Sequence, residues 1–189
     1  MNSPLLFAAL HNLAQAGYFQ LLDSMPASHA LLDAVAPYRC KLFLPGCSDE
    51  LVRVAARKMA SAQKLQGALC QTLGLHSVKS ARLDLLLFWD LPNYLPAPVL
   101  SALVASVLPH ANHPALIHCY IYTGRAMPAA PGRFRFAGNN QIEVNPQADQ
   151  TMPAPAYYQE ALHKLLAPFV VQRSILLSNG LQEYVLVNK

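Results

Sequence analysis

The sequence contains few charged residues. Asp, Glu, Lys and Arg make up 13% of its 189 residues, whereas 53% are hydrophobic. A chain with this balance can bury a large core, which excludes intrinsic disorder. With so little polar surface available, we expect a protein partner or a second copy of the chain to cover part of the apolar surface. The net charge of +4 is spread along the chain without a Lys/Arg block, so an RNA partner is permitted but not indicated.

Long apolar segments are absent as well. No apolar run approaches the ~20 residues that a membrane-spanning helix needs, so we expect no membrane association. The first 22 residues are apolar but lack a basic start, and His11, Asn12 and Gln15 interrupt them, which is untypical of a secretory signal peptide. We therefore expect a cytoplasmic protein whose residues 1–189 form a single domain.

Metal-ligand spacing is also missing. The cysteines form no C-x-x-C pair and no tight cluster with histidine, which favours reduced thiols packed in the core: Cys40, Cys47, Cys70 and Cys119. Three neighbouring histidines are divided between a predicted helix end, a turn and a strand, so their rings need not converge: His110, His113 and His118. We expect no metal site.

Hydrophobic spacing predicts alternating helices and strands. Two helices, at 5–22 and 27–35, form an N-terminal helical cap over residues 1–38, with Ser28 as a possible cap of the second helix. Further helices are predicted at 49–61, 98–108 and 157–167. Apolar runs bounded by turn residues predict strands at 40–44, 83–90, 115–122, 170–177 and 181–187. Residues 62–82 are ambiguous, with a possible strand at 64–70 and a turn or short helix at 71–75.

This order of elements predicts an α/β fold with a Rossmann-like, mostly parallel sheet and helices on both faces. The first half of this fold is predicted to be shortened. Asn179-Gly180 between the last two apolar runs predicts a hairpin that inserts one antiparallel strand at the C-terminal end. Residues 123–156 contain five prolines and predict a long excursion from the sheet, with one hairpin near 133–144.

Two segments carry a family resemblance. LDLLLFWDLPNYL (83–95) and the tail FVVQRSILLSNGLQEYVLVNK resemble the fourth motif and the last two strands of class I S-adenosylmethionine (SAM) dependent methyltransferases. The resemblance implies that Asp90, Asn93 and Tyr94 are catalytic residues near a substrate. The alternative from the residues alone is that Asp90 caps the following turn and Asn93 satisfies loop backbone. The resemblance also implies a cofactor loop after the first strand, made of Pro45, Gly46, Cys47 and Ser48.

Two departures from the family pattern indicate an eroded cofactor site. Family members carry an acidic residue in the first strand and a glycine-rich turn after it, whereas here Phe43 takes the acidic position and only Gly46 remains. They also place a carboxylate at the end of the second strand to bind the ribose hydroxyls, and no acidic residue occurs between Glu50 and Asp84. We therefore expect no bound cofactor, and SAM only if the protein is active.

Basic and aromatic residues alternate in the proline-rich excursion. Arg133 and Arg135 alternate with Phe134 and Phe136, and Arg125 precedes them. The three arginines are candidate contacts for a substrate or partner, and arginine interleaved with aromatics can clamp a nucleic acid. The same alternation also fits an ordinary half-buried strand.

Three functions follow from these patterns. The first is a non-catalytic methyltransferase-like protein, a pseudoenzyme that acts as a binding or scaffold subunit. The second is an active, atypical SAM-dependent methyltransferase. The third is an RNA-modification accessory module.

Overall fold

A computed structural model describes residues 1–57, 59, 61–78, 82–138, 140–155, 157 and 159–188. Its central sheet contains β1 (Phe19–Asp23), β2 (Cys40–Phe43), β3 (Leu83–Trp89), β4 (Ala111–Tyr122), β9 (Phe169–Leu176) and β10 (Leu181–Asn188), in the order β2-β1-β3-β4-β10-β9. The pairs β1–β2, β1–β3 and β3–β4 are parallel, and β10 is antiparallel to both of its neighbours. The predicted Rossmann-like, mostly parallel sheet with an antiparallel C-terminal strand is confirmed.

Helices cover both faces of this sheet. They are α1 (Pro4–Ala16), α2 (His29–Val35), α3 (Ser48–Ala56), α4 (Ala62–Thr72), α5 (Ala97–Val107) and α6 (Gln159–Leu165). Successive side chains of a strand point to opposite faces, so β3 supplies Leu86 and Phe88 to one core and Leu85 and Leu87 to the other. The first core contains residues of α3, α4, α5 and α6, and the second contains residues of α1 and α2.

The helix predicted at 5–22 is wrong over its last third. It ends at Ala16, where Gly17 adopts a φ of +112° that favours glycine, and β1 follows. Leu21 is fully buried in the sheet and pairs with Leu42 of β2 and Leu85 of β3. A five-residue strand is too short for its period to stand out beside the longer helix. The segment 1–38 therefore contains a central strand as well as two helices.

The possible strand at 64–70 is also wrong, because α4 occupies this segment. Ser61 caps the helix by accepting a hydrogen bond from Lys64 N, and Leu65 and Leu69 lie four residues apart on the inward face. A 3₁₀ helix at Leu75–Val78 follows. The helix predicted at 49–61 ends at Ala56. Several predictions include residues that lie outside the described part of the chain, namely 58, 60, 79–81, 139, 156, 158 and 189.

The excursion contains two small antiparallel sheets. β6 (Arg133–Phe136) pairs with β7 (Ile142–Asn145), which confirms the hairpin predicted near 133–144. β5 (Ala126–Pro128) pairs with β8 (Thr151–Pro153). The sequence does not predict this second pair, because strands of three residues that contain proline carry no periodic signal.

A buried polar cluster holds α1 against β10 and β4. One oxygen of Glu183, Oε1, accepts hydrogen bonds from Ser3 Oγ (2.7 Å) and Leu6 N (2.9 Å) and lies 3.0 Å from His118 Nε2. Ser3 Oγ also lies 2.6 Å from the Tyr120 hydroxyl. Burial disfavours the charged carboxylate, but the hydrogen bond and charge of His118 and the other donors lower the pKa of Glu183. We call these four side chains the Glu183 cluster: Ser3, His118, Tyr120 and Glu183.

Candidate functional site

The candidate site lies where the carboxyl ends of β1 and β3 meet. From β1 the chain moves to β2 on one side, and it later returns to β3 on the other side of β1. In open α/β sheets, ligands bind outside the carboxyl ends of the strands at such a switch point. Asp23 ends β1 and Trp89 ends β3, so these two side chains form the floor of the site.

Asp23 and Trp89 are bonded to each other in this floor. The indole Nε1 of Trp89 donates to Asp23 Oδ1 at 2.6 Å, and Met25 N donates to the same oxygen at 2.8 Å. Burial raises the pKa of Asp23 to about 7, although both hydrogen bonds oppose that rise. Trp89 adopts a φ of +52°, which costs energy in a residue with a bulky side chain. The floor is therefore a strained, internally bonded structure.

The predicted catalytic residues follow β3 in a 3₁₀ helix at Leu91–Tyr94. Asp90 is fully buried, and its Oδ2 accepts from Gly132 N at 2.9 Å and lies 3.5 Å from the Tyr122 hydroxyl. Its Oδ1 is buried with no partner among the described residues. Burial raises the pKa of Asp90 to about 7, against the hydrogen bonds that it accepts.

Asn93 and Tyr94 both bond to backbone. Asn93 Nδ2 donates to the carbonyls of Asp90 (2.7 Å) and Tyr120 (2.8 Å), and its Oδ1 accepts from Tyr122 N. The Tyr94 hydroxyl contacts the carbonyls of Pro128 (3.1 Å) and Ala130 (2.8 Å). Asn93 thus joins the ends of β3 and β4, and Tyr94 holds the excursion. A catalytic role for the three residues stays a prediction.

The β6–β7 hairpin covers the floor of the site. The ring of Phe134 stacks on Trp89, with centroids 5.1 Å apart and planes 16° apart, and on Tyr120, at 5.3 Å and 15°. Arg133 Nη2 donates to Asp49 Oδ2 at 2.5 Å, which ties the hairpin to α3. The space directly above the Trp89 ring is consequently filled by Phe134, whereas a pocket of about 350 Å³ remains beside the end of β1.

The predicted cofactor loop, Pro45 to Ser48, follows β2 at the edge of the sheet rather than the first strand. The amides of Cys47 and Ser48 donate to the Ser24 carbonyl at 2.9 and 3.1 Å. Gly46 has a φ of +60° and lies against Pro26, where an added Cβ would be 3.4 Å from Pro26 Cα. Burial raises the pKa of the Cys47 thiol to about 12, so Cys47 is neutral at pH 7.

The three candidate arginines are not brought together. Arg133 and Arg135 line a pocket of about 350 Å³ beside Met25 and Ser28, at the end of β1. Arg125 lines a different cavity beyond β4. Their role as substrate or partner contacts stays a prediction.

Sequence reasoning missed Asp23, because it assigned that segment to a helix. It also gave no sign of the hydrogen bond that Trp89, in the strand predicted at 83–90, forms with Asp23. The alternation from Arg133 to Phe136 fits a half-buried strand, and in β6 Phe134 is 5% exposed. What no pattern indicated was the position of the hairpin over the strand ends.

Two further observations concern the described part of the chain. There, no group of three or more His, Cys, Asp or Glu side chains is arranged to hold a metal ion. No helix of that part has both the length and the apolar character that crossing a membrane requires.

The raised pKa of Asp23 predicts a pH-dependent stability. The carboxyl is protonated in both states below about pH 4, whereas between pH 4 and 7 it ionises only in the unfolded chain. This contribution to the free energy of unfolding is therefore fully present below pH 4 and is lost as the pH rises to 7. In Asp23→Asn the free energy of unfolding should depend less on pH, and the variant should be more stable than the wild type at pH 8. Urea unfolding at pH 5 and pH 8 measures both effects.

The exposed Asp149→Asn variant controls for the loss of one charge. An Asp23→Asn variant that loses equal stability at both pH values would contradict this prediction.

Taken together, the fold and site define an α/β protein with a Rossmann-like sheet whose strand-end cleft is closed by its own hairpin. No protein-family model matches the sequence, and no curated protein is significantly similar to it. The similar solved structures include the pyocyanin biosynthetic protein PhzM, at 11% identity and a TM-score of 0.45, covering 96% of this chain and 54% of PhzM. This chain thus spans about half the length of PhzM.

Two other similar structures are methyltransferases by name. The glycopeptide N-methyltransferase MtfA, complexed with S-adenosyl-L-homocysteine, has 10% identity and a TM-score of 0.47, covering 96% of this chain and 86% of MtfA. The Burkholderia thailandensis 1,6-didemethyltoxoflavin-N1-methyltransferase has 12% identity and a TM-score of 0.46, covering 95% and 75%. A shared fold does not define a function, because one fold can carry many different sites.

Proposed function

We propose that this protein is a non-catalytic, methyltransferase-like binding or scaffold subunit that does not use SAM. The observation that carries the proposal is the closed cleft. Trp89 donates to Asp23 across the floor, and Phe134 stacks on Trp89 from above. A cofactor at the ends of β1 and β3 would have to displace a buried aromatic ring and break a buried hydrogen bond, which costs energy before any contact is gained.

The residues around the cleft do not fit SAM. The family's ribose carboxylate belongs at the end of the second strand, which here is β2, and Leu44, Pro45 and Gly46 follow it. The next carboxylate along the chain, Asp49, is paired with Arg133. A lost hydrogen bond to a charged group weakens binding by about 1.5–3 kcal/mol, so losing both ribose bonds removes roughly two to four powers of ten in affinity.

The first strand of the sheet adds to this mismatch. In the family pattern an acidic residue lies in that strand and glycines follow it. β1 does carry Asp23 at its end, but Ser24, Met25 and Pro26 follow in place of glycines. The Ser24 carbonyl already accepts the amides of Cys47 and Ser48. These features support a loop that is built into the fold and does not serve a ligand.

The proposal predicts the outcome of a calorimetric titration. Neither SAM nor S-adenosylhomocysteine should produce measurable binding heat up to about millimolar ligand, since the combined losses place any affinity outside that range. Neither should raise the melting temperature, which a ligand specific for the folded state must do. A SAM-binding methyltransferase titrated in parallel is the control. Micromolar binding of either compound would falsify the proposal.

One observation favours the alternative of an active, atypical SAM-dependent methyltransferase. Asp90 is buried at a strand end, its pKa is raised to about 7, and its Oδ1 has no partner among the described residues. Perturbed carboxylates of this kind concentrate at functional sites. This alternative predicts methyl transfer to some acceptor that is lost in Asp90→Ala. No specific observation favours an RNA-modification accessory module, which stays a prediction.

A further inference from the structure

A second cavity, of about 490 Å³, lies over β4 and β10, away from the closed cleft. Its wall is made by the end of β4, the start of β10 and the segment that follows β8. This volume is in the range of sites that hold drug-sized molecules. The lining residues are Ile121, Tyr122, Thr123, Gly124, Arg125, Ala154, Pro155, Tyr157, Gln182 and Tyr184.

Three tyrosines give this cavity flat, amphipathic walls. The Tyr157 hydroxyl donates to the Leu95 carbonyl at 2.9 Å, and the Tyr122 hydroxyl lies 3.5 Å from Asp90, so both rings are held in place. Tyr184 is 6% exposed and lies within the sheet. Rigid aromatic rings favour a planar apolar body, which can stack on them with little loss of conformational entropy.

The charge of the cavity comes from one residue. Arg125 is exposed at its wall, forms no ion pair with a described carboxylate, and is the only charged residue among the described residues of the lining. Its backbone is fixed, because the Arg125 carbonyl accepts from Ala154 N at 3.1 Å. A guanidinium group matches a carboxylate with two parallel hydrogen bonds, whereas it repels a cation.

We propose that this cavity binds a small organic anion with a flat apolar body, held by Arg125 and by the rings of Tyr122, Tyr157 and Tyr184. The site does not depend on the closed cleft, since it lies over β4 and β10 and shares none of the residues that fill the cleft.

The test uses two probes that differ only in charge. 2-Naphthoate is planar and anionic, and 2-naphthamide is its neutral counterpart of nearly the same shape. We expect the 189-residue chain to bind naphthoate at least about tenfold more tightly than naphthamide in calorimetric titrations, because only the carboxylate forms charge-assisted bonds. Arg125→Gln should weaken naphthoate binding by about tenfold or more and leave naphthamide binding unchanged.

A matched control separates this local effect from a loss of general charge. Arg39→Gln removes an exposed arginine at the opposite edge of the sheet, beside the start of β1, and should leave naphthoate binding unchanged. The proposal is overturned if the wild type does not bind naphthoate at millimolar concentration, if both probes bind equally, or if Arg125→Gln binds naphthoate as the wild type does. None of these outcomes bears on SAM binding, so this proposal and the proposed function fail independently.

Discussion

Replacing Phe134 by alanine should lower the free energy of unfolding by about 4 kcal/mol. A buried Phe→Ala substitution costs roughly 3–5 kcal/mol through lost burial and the cavity that remains. Phe134 is 5% exposed and stacks on both Trp89 and Tyr120, and each aromatic pair adds about 0.5–1.5 kcal/mol beyond burial. Urea unfolding followed by far-ultraviolet circular dichroism measures the change.

The protein's only tryptophan reports on the same substitution. Trp89 is 1% exposed in the wild type, with Phe134 stacked on its indole ring. In Phe134→Ala its fluorescence should shift to longer wavelength and become accessible to acrylamide, because water reaches the uncovered ring. Phe134→Leu keeps most of the apolar volume and should lose about half as much stability. Unchanged emission together with a loss under about 1 kcal/mol would show that the hairpin does not cover the cleft.

Removing the carboxylate at the centre of the Glu183 cluster should have an effect of similar size. Glu183→Ala leaves the Leu6 amide, the Ser3 hydroxyl and the His118 ring without their shared acceptor in a fully buried site. Breaking a buried charged network by deleting one member costs about 3–5 kcal/mol. The free energy of unfolding should fall by this amount, measured in urea at pH 7.

Two milder variants rank the contributions within the cluster. Glu183→Gln retains an oxygen acceptor for Leu6 N and Ser3, so it should lose less than Glu183→Ala. Tyr120→Phe removes only the hydroxyl beside Ser3, which still has Glu183 as a partner, and should cost about 1 kcal/mol. If Glu183→Ala does not fold, the relative stabilities of Glu183→Gln and Tyr120→Phe still test the role of Glu183. If Tyr120→Phe is less stable than Glu183→Gln, the Glu183 carboxylate is not the main source of stability in the cluster.

Long apolar runs allowed much of the fold to be predicted from the sequence. The run at Leu83–Trp89 belongs to a strand covered on both faces, and such strands are continuously apolar. Asn179-Gly180 predicted the closing hairpin, where Gly180 has a φ of +82°. By contrast, β1 escaped prediction because its five residues adjoin an amphipathic helix and share its hydrophobic character.

The missed strand also changed how the site was interpreted. With residues 5–22 predicted as one helix, β2 takes the place of the first strand, and Phe43 takes the position of an acidic residue that belongs one strand earlier. In the structure, β1 ends in Asp23, and the contacts of that carboxylate are with Trp89 and Met25. Trp89 lies 66 residues from Asp23 along the chain, and local periodicity gives no information about pairs so distant.

The partners of α1 come from the other end of the chain. Leu6 and Ser3 bond to Glu183 across sequence separations of 177 and 180 residues. Contacts between segments this far apart form slowly, because closing a long loop costs chain entropy before the contacts contribute any stability. During synthesis the first helix emerges from the ribosome well before its buried acceptor exists. The Leu6 amide therefore depends on water until β10 has been made, and the native packing of α1 is completed only then.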